Sequence, residues 1–320
     1  MFKKSIIVFF YTEWPVHAGS GSSAGVVDSP IQREVFTNLP IFQPSGLKGA
    51  LREYFENNFS DSQNEIKIKQ VFGPAKGADF AGAISLSQAR VIIFPVASAK
   101  GVFAYVTCPL CLQLLVRDIV AIGNNIPNEL KEIPLATEEN SPRLLQEGIA
   151  LVPKADRNND NPGSDQLIDG KVVLGELAFQ ASEHSKASSI SNWLSKNAIP
   201  QSSEYEPWRS KVKQSLVILD NADFRSLTET KTEIVTRNII GEKGTSENIW
   251  TEEYLPSDTL LYSVLSAHDP LDNGNEQGRL TNAQQVINFI KKPNDQFLSR
   301  FLFGGDQTVG KGLLRVQFLA

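Results

Sequence analysis

Cysteine and histidine are scarce in this chain of 320 residues, which contains two cysteines and three histidines. Cys108 and Cys111 form a single C-x-x-C pair, and two ligands alone do not make a structural zinc site. We therefore expect unreactive, buried thiols in a reducing, cytoplasmic setting. With so few histidines, any catalysis is expected to depend on carboxylates, lysines and the positioning of a substrate.

An excess of positive charge and long apolar runs are also lacking. The net charge is -5, so any binding of nucleic acid has to come from local basic strips rather than from a global field. Lys3 and Lys4 precede an apolar run at residues 6–11, but the run is too short for a signal peptide and Glu13 follows it, which predicts a β-strand. No other stretch is long enough to span a bilayer, and no membrane partner is expected.

A glycine-rich loop precedes an apolar strand at residues 313–318. Gly305, Gly310 and Lys311 have the G-x-x-x-x-G-K spacing of a P-loop. Gly312 stands where a P-loop needs Ser or Thr, and a strand follows instead of a helix, so we reject an ATPase. Two interpretations remain: a turn whose amides and lysine approach phosphate oxygens, or a plain hairpin turn with glycines at positive φ.

The first half of the chain reads as strand, helix, strand, strand, helix, which is most of a ferredoxin-like βαββαβ unit. Apolar residues recur at helical spacing from about Gly46, and Ser45 is predicted to cap that helix. Lys48 and Arg52 lie four residues apart on its other face, which is a weak indication of an anion lying across both.

Residues 124–170 are polar and broken, and they are predicted to be a surface insertion with too few apolar residues for a core. Its least structured part is RNNDNPGSDQ at 157–166. Beyond it, the runs flanking EKGTSE predict a long hairpin, followed by a strand at 259–265 and a helix at 284–290. The second half thus indicates another strand-rich α+β unit.

The loop between the first strand and the first helix displays polar residues where functional groups are common: His17, Gly19, Gly21, Asp28, Arg33 and Glu34. Asp28 precedes Ser29 and Pro30, so its carboxylate is either presented to a metal or a hydroxyl group, or it closes an Asx-turn. A lone loop histidine such as His17 is more often a hydrogen-bonding residue than a catalyst.

Five segments together resemble the backbone subunits of type III-B CRISPR effector complexes, in the RAMP superfamily. They are HAGSGSSAGVVDSPIQRE (17–34), PSGLKGALR (44–52), FPVASAKGVFAYVTCP (94–109), EIVTRNIIGEKGTSENIWTEEYLP (233–256) and FGGDQTVGKGLLRVQF (303–318). The glycine-rich C-terminal loop is shared across the superfamily, whereas GVVDSPIQRE together with KGVFAYVTCP is specific to this subunit. Ala97 is a departure, because the family often has a basic residue there.

The resemblance implies an α+β fold, with a ferredoxin-like (RRM-like) palm, a long β-hairpin thumb and inserted loops. It implies one RAMP-type domain over residues 1–320, with the palm at about 1–123 and 171–320, the insertion at about 124–170 and the thumb at about 230–256. Copies of such a subunit stack head-to-tail along a CRISPR guide RNA, beside other subunits of the Cmr complex. Each thumb kinks the guide and the paired target RNA.

The resemblance also implies cleavage of the complementary target RNA at regular intervals. The family requires an aspartate in the GVVDxPIQRE loop, and Asp28 holds that position; it would bind a divalent metal, Mg²⁺ or Mn²⁺, or take the proton of the 2′-hydroxyl group. His17, Glu252, Glu253 and Tyr254 are expected to support it, although a salt-bridged strand end explains the last three equally well.

Contacts with the guide backbone are expected at three places in the chain and on the hairpin. The residues are Ser45, Lys48, Arg52, Ser98, Lys100, Gly101, Arg237, Gly304, Gly305, Gly310, Lys311 and Gly312. Two alternatives stay open: a scaffold subunit that binds RNA without cutting it, and an endoribonuclease of the same superfamily that processes guide precursors. The second usually has a histidine-centred site, for which only His17 is available.

Overall fold

A mixed sheet of twelve strands forms the body of the protein. The computed structural model describes residues 2–22, 25–59, 61–75, 80–131, 145, 147–155, 163–272, 274, 278–291 and 300–319. The strands of this sheet are β1 (Lys4–Thr12), β2 (Ile41–Phe42), β3 (Ile84–Leu86), β4 (Ala89–Ala97), β5 (Phe103–Thr107), β6 (Ile149–Pro153), β7 (Lys171–Leu174), β8 (Leu177–His184), β9 (Leu216–Ile218), β12 (Leu260–Ala267), β13 (Arg300–Leu302) and β14 (Leu313–Phe318). Strands β10 (Glu233–Ile240) and β11 (Ser246–Tyr254) form a separate pair.

Helices cover both faces of this sheet. They are α1 (Pro44–Asn58), α2 (Ser62–Phe72), α3 (Pro109–Ala121), α4 (Ser185–Asn197), α5 (Glu206–Ser215), α6 (Asn221–Thr230) and α7 (Ala283–Lys291). Apolar side chains of α1, α2 and α7 pack in one core, and those of α4 and α5 pack in a second core. Within the described ranges, no helix has the length and apolarity needed to cross a membrane.

Strand β1 is apolar on both faces because it lies between the two cores. Val8 and Phe10 belong to the core of α1 and α7, whereas Ile7 and Phe9 belong to the other. The main path of the sheet runs β13-β14-β1-β12-β4-β5-β9-β6-β8-β7. The α+β class predicted from the sequence is therefore correct, but the second half does not form a unit of its own, because β12 and β14 flank β1 on either side.

The start of α1 differs from the prediction. The helix begins at Pro44, Gln43 occupies the N-cap, and no side chain caps the helix, so Ser45 is not the cap. Proline suits the first helical position because its missing amide hydrogen has no partner there in any case and its φ angle is already helical.

The expectation that residues 124–170 cannot contribute to a core is wrong for β6. This strand lies between β9 and β8, and Ala150, Leu151 and Val152 are completely buried. A short apolar run inside a polar stretch was enough to add a central strand. Most of the RNNDNPGSDQ segment, at 157–162, lies outside the described residues.

Strands β10 and β11 form the hairpin that the residues flanking EKGTSE predict, and they make a two-stranded sheet apart from the twelve-stranded one. Arg237 lies opposite Trp250, and Glu233 lies opposite Tyr254. The hairpin base is buried at residues 252–254, whereas Ile240 and Ile249 near the tip are exposed. The hairpin thus projects from the body while its base is fixed to it.

Candidate functional site

Three segments meet at the base of the hairpin: the loop after β1, strand β11 and the loop before β14. Val16 and Leu255 exchange two backbone hydrogen bonds of 2.9 Å. The Gly305 amide donates to the His17 carbonyl at 2.9 Å. The sequence-predicted loop, hairpin and glycine-rich segment are therefore in contact, although they lie far apart along the chain.

Asp28 is exposed and is held on the hairpin by Thr251. Its Oδ2 atom accepts hydrogen bonds from the amide and the hydroxyl of Thr251, both at 2.8 Å, and the Asp28 amide donates to the same hydroxyl at 3.0 Å. The Thr251 amide and hydroxyl together hold the pKa of Asp28 below its ordinary value. Asp28 is therefore an ionised carboxylate in a fixed orientation, open to solvent.

Glu252 and Tyr254 lie on the other face of β11 from Thr251, because strand side chains alternate. The Tyr254 hydroxyl contacts the Glu252 carboxylate and lies 3.0 Å from Asp306 Oδ2, and Trp250 Nε1 donates to Glu252 at 2.6 Å. Arg237 approaches Glu252 at 3.6 Å and Asp306 at 3.8 Å. Two carboxylates, a phenol and a guanidinium thus form one cluster.

The surroundings in this cluster keep Glu252 ionised and Tyr254 neutral. Burial alone would raise the pKa of Glu252, but the hydrogen bonds from Tyr254 and Trp250 and the charge of Arg237 outweigh it and lower that pKa. Burial and the two neighbouring carboxylates raise the pKa of Tyr254. Tyr254 is therefore a neutral hydrogen-bond donor that orders Glu252 and Asp306.

His17 is fixed in one orientation beside this cluster. Its Nδ1 atom lies 2.7 Å from the Glu253 carbonyl oxygen, which can only accept, so Nδ1 carries a proton. The ring packs on Tyr254, with centroids 5.5 Å apart. A Cβ atom on Gly19 would lie 2.7 Å from Nε2 of His17, so Gly19 leaves room for the imidazole ring.

The side chain of Glu253 does not join the other acidic residues. It accepts from Arg33 at 2.5 Å, from the Thr232 hydroxyl at 2.8 Å and from the Ile31 amide at 3.0 Å. Among the described residues, no hydrogen bond or ion pair connects Asp28 with His17, Glu252 or Tyr254. The predicted catalytic residues are thus divided between the two faces of the hairpin, with Asp28 and Glu253 on one and Glu252 and Tyr254 on the other.

Two glycines of the C-terminal loop are required by the fold itself. A Cβ atom would lie 2.5 Å from the His17 carbonyl oxygen at Gly304 and 2.3 Å from the Phe303 carbonyl oxygen at Gly312. Gly310 has a positive φ of 79° but nothing within 4 Å. Lys311 lies 4.4 Å from the Tyr254 ring centre and 3.8 Å from Glu233, so it is packed on the hairpin base.

The paired basic residues of α1 have protein partners. Lys48 donates to the Ile84 carbonyl at 2.9 Å, and Arg52 pairs with Glu56 at 2.8 Å. Burial, followed by the charge of Arg52, lowers the pKa of Lys48. These contacts stabilise the two positive charges at this spacing without an anion. Ser45 is exposed at the start of the helix.

The turn between β4 and β5 also has internal partners. The Ser98 hydroxyl donates to the Val173 carbonyl at 3.2 Å, and Lys100 donates to the Leu167 carbonyl at 2.8 Å. The Gly101 carbonyl accepts from Lys211 at 2.8 Å. Gly101 and Val102 both have positive φ, and the Val102 side chain is exposed. A β-branched residue rarely adopts this conformation, so the turn is strained.

Acidic residues, histidines and cysteines do not gather into a metal site within the described part of the chain: no three of them lie close enough together. Cys108 and Cys111 are buried free thiols, as predicted. Asp28 is nevertheless a suitable single ligand, because Mg²⁺ is commonly held by one or two carboxylates, with the substrate phosphates and water as the other ligands.

Sequence reasoning missed Thr251, Trp250 and Asp306 as parts of the site. Thr251 carries no signal of its own, because its contact with Asp28 follows from the pairing of distant segments. Trp250 contacts Glu252 two residues along the same strand, but nothing in the sequence marks that hydrogen bond. Asp306 follows Gly304 and Gly305 and has a positive φ of 59°, a conformation that aspartate tolerates better than most residues. Its position in a glycine-rich loop was the only available signal.

Comparison with known proteins places this geometry in a family. A model of the RAMP superfamily matches residues 9–315. The chain is 37% identical over 318 residues to "CRISPR system Cmr endoribonuclease Cmr4" of Pyrococcus furiosus, covering 98% of this chain and 95% of the relative. A second relative, "CRISPR system CMR subunit Cmr4" of Saccharolobus solfataricus, is 24% identical over 315 residues and covers 95% of this chain and 93% of the relative.

Solved structures agree with the sequence comparison. The crystal structure of oligomeric Cmr4 from Pyrococcus furiosus superposes with a TM-score of 0.69 at 29% identity, covering 99% of this chain and 98% of the other. A chain of the type III-B Cmr-beta complex bound to cognate target RNA shares the fold, with a TM-score of 0.71, 20% identity and coverage of 99% and 98%. The chain therefore belongs to the RAMP superfamily and, within it, to the Cmr4 family.

Proposed function

We propose that the chain is the backbone subunit of a type III-B CRISPR effector complex and cleaves target RNA paired with the guide. The observation that best supports this function is an exposed, ionised Asp28, which Thr251 fixes at the base of a projecting hairpin. The likeness to an endoribonuclease over nearly the full chain supports this assignment. The same likeness argues against a subunit that only binds RNA.

Cleavage of RNA requires little covalent chemistry from the protein. The 2′-hydroxyl group is an internal nucleophile, and stacked A-form geometry keeps it out of line with the leaving 5′-oxygen. Turning one nucleotide out of the stack removes this obstacle at a cost of a few kcal/mol. We assign stabilisation of the distorted RNA to the projecting hairpin, on which Thr251 holds Asp28.

Asp28 is better suited to hold a divalent ion or to orient a hydroxyl group than to take a proton. A carboxylate whose pKa is lowered is a weak base, and Thr251 lowers the pKa of this one. We therefore assign Asp28 to orienting the attacking hydroxyl group and to binding a divalent ion, Mg²⁺ or Mn²⁺, together with RNA phosphates. The proton of the 2′-hydroxyl group then passes to solvent, and the leaving 5′-oxygen takes up a proton from solvent. Such an ion would neutralise charge that develops at the reacting phosphate.

The cluster of Glu252, Tyr254 and His17 is proposed to support the hairpin face opposite Asp28. Arg237 and Lys311 are its cations, and each is paired with carboxylates at 3.6 to 3.8 Å, near the limit of an ion pair. A phosphate group competes well for cations held this loosely. The remaining proposed guide contacts are Ser45, Lys48, Arg52, Ser98, Lys100, Gly101, Gly304, Gly305, Gly310 and Gly312.

Head-to-tail association of several copies along the guide is part of the proposal, as are contacts with other subunits of the Cmr complex. A crystallised relative is described as oligomeric, which supports self-association. Head-to-tail contacts use two different surfaces and do not close on themselves, so a filament of regular spacing results. Each copy then presents one Asp28 to the target, which accounts for regularly spaced cuts.

The products of cleavage test this function. The assembled complex is expected to convert an end-labelled complementary RNA into a ladder of regularly spaced fragments that carry 2′,3′-cyclic phosphates, because the 2′-oxygen is the nucleophile. Sequencing gels with and without phosphatase treatment measure the spacing and the end groups. An RNA without complementarity to the guide is the control. Fragments with 3′-hydroxyl ends would contradict this chemistry, because they require an external water.

Replacing Thr251 tests the orientation of Asp28. Thr251→Val removes the hydroxyl bonds and keeps the amide bond, so we expect the cleavage rate to fall about tenfold, the value of roughly one hydrogen bond to a charged group. Because Asp28 has a lowered pKa, it stays ionised at pH 5.5 and at pH 7.5, and the loss of cleavage rate should be equal at the two pH values. Single-turnover rates measure it.

Thr230→Val is the matched control, since it removes an exposed hydroxyl bond at the end of α6. Its cleavage rate should equal that of the wild type. A loss for Thr251→Val that grows toward acidic pH would mean that Thr251 acts through the charge of Asp28 and not through its orientation.

A further inference from the structure

The segment that carries Asp28 lies along β11 as a short added strand. Ser29 forms a parallel bridge with Glu252. The Ser29 amide donates to the Thr251 carbonyl at 3.0 Å, and the Glu253 amide donates to the Ser29 carbonyl at 2.9 Å. These two bonds and the Asp28–Thr251 contacts all lie at one end of the segment, and a shift by one residue would turn Asp28 to the opposite face of the strand.

The Glu253 side chain fixes the other end of the segment on the hairpin. Only 5% of the residue is exposed, and both carboxylate oxygens are occupied. Oε2 accepts from the Ile31 amide, and Oε1 accepts from Arg33 and from the Thr232 hydroxyl. Two of these three donors belong to the segment after Asp28, and the third immediately precedes the hairpin. The carboxylate thus joins the segment to the hairpin at a single register.

Arg33 extends this connection to α6. Its guanidinium donates to the Asn38 carbonyl at 3.0 Å and to the Thr228 carbonyl at 3.2 Å, in addition to Glu253. Both charged side chains are largely buried, so the loss of one leaves the other without compensation. Three planar donors in fixed directions hold the end of the segment, which a flexible lysine would not do.

The backbone of Glu253 also positions His17. Its carbonyl oxygen accepts from Nδ1 of the ring, which sets both the tautomer and the ring plane. One residue therefore contacts the Asp28 segment through its amide and carboxylate and contacts His17 through its carbonyl. Among the described residues, no other one makes hydrogen bonds both to the Asp28 segment and to the His17 ring.

We propose that Glu253, acting with Arg33, is a positioning residue that fixes the register of the Asp28 segment on the hairpin, and not a residue that touches the substrate. The inference rests on the proposed function, because its effect is read as RNA cleavage. It requires that the Glu253 carboxylate accept from three donors at once. Target binding depends on base pairing with the guide and is independent of it.

Glu253→Gln tests the proposal with almost no change of shape. All three partners of Glu253 are donors, whereas an amide has to direct its own NH₂ group at one of them. In the assembled complex we expect kcat for target cleavage to fall about 10- to 100-fold, as a small misplacement of a catalytic group does, with KM unchanged. Hydrogen exchange of the amides at 29–33 should become faster.

A double substitution distinguishes a loss of register from a general loss of stability as the cause of lower activity. If Arg33 and Glu253 act as one unit, Arg33→Gln combined with Glu253→Gln should lower kcat no further than the larger single effect. Thr232→Val removes only one of the three donors to Glu253 and should lower kcat a few-fold in a complex that assembles normally. It therefore replaces Glu253→Gln as the test variant if Glu253→Gln prevents assembly. Glu65→Gln, which breaks an exposed ion pair with Lys69, is the matched control and should behave as wild type.

The outcomes distinguish the two proposals. Wild-type kcat for both Glu253→Gln and Thr232→Val, in a complex that Asp28→Ala inactivates, would overturn the positioning role and leave the proposed function intact. A rise in KM with unchanged kcat would also overturn it, because it would place Glu253 in target binding. Failure of the wild-type complex to cut complementary RNA would refute the proposed function itself.

Discussion

Cleavage of target RNA is expected to fall about a thousandfold when Asp28 is replaced by alanine, with guide and target binding unchanged. The side chain is exposed, and among the residues that the structure describes its carboxylate hydrogen-bonds to Thr251 alone, so we expect the fold not to depend on it. What disappears is the carboxylate proposed to orient the attacking hydroxyl group and to hold the divalent ion, and the loss of one such preorganised group typically costs two to three orders of magnitude. Single-turnover cleavage and filter binding, measured in parallel on the same complex, check both statements.

Asp28→Asn refines this result. Asparagine has the same shape, and its carbonyl oxygen can accept from Thr251, so the residue keeps its orientation and loses only its charge. We expect it to be as inactive as Asp28→Ala. Substantial activity for Asp28→Asn would mean that the residue shapes the loop and that no charge or metal ligand is needed there. Unchanged cutting by Asp28→Ala would move the chemistry elsewhere and leave the chain as an RNA-binding scaffold.

Gly312→Ala is expected to have the second large effect, on folding and guide binding together. The residue has a φ of 85°, and a Cβ atom would lie 2.3 Å from the Phe303 carbonyl oxygen, which is backbone and cannot rotate away. Strain and displacement together should lower the free energy of unfolding by about 3 kcal/mol or more. Thermal unfolding of the isolated chain measures this change, and binding of guide RNA should weaken with it because the whole loop is displaced.

Gly310→Ala is the matched control for this position. Its φ of 79° is similar, but nothing lies within 4 Å of a Cβ atom there. Only the conformational cost remains, about 1 kcal/mol. If Gly310→Ala weakens guide binding more than this loss of stability explains, the open space above Gly310 is where RNA approaches the loop. Equal effects for the two alanine substitutions would contradict the packing argument for Gly312.

Local patterns in the sequence predicted individual elements well. The continuous apolar run of β1, the helical spacing in α1 and the turn residues between β10 and β11 are all properties of adjacent residues, and each led to the right element. The rejection of a P-loop was also correct, since β14 follows Lys311. Non-local pairing was beyond such reasoning: nothing near β1 indicates that β12 and β14 are its neighbours.

The site was predictable only in part for the same reason. Resemblance to a family directed attention to Asp28 and to the hairpin base, but it could not divide Glu252 from Glu253. Strand alternation does so, because it sends one carboxylate toward Tyr254 and the other toward Arg33. Likewise, spacing alone could not show that Lys48 contacts the Ile84 carbonyl or that Arg52 pairs with Glu56, and their predicted contact with an anion stays a prediction.

The pairing of β1 with β14 also determines when the molecule can fold. Val8 pairs with Phe318, about three hundred positions later, and Tyr11 pairs with Arg315. Contacts of such long sequence separation form slowly, because the entropy of closing the loop is lost before any contact is gained. During synthesis on the ribosome, β1 therefore has one edge unpaired until β14 has emerged, and the glycine-rich loop before β14 is completed in the same late step.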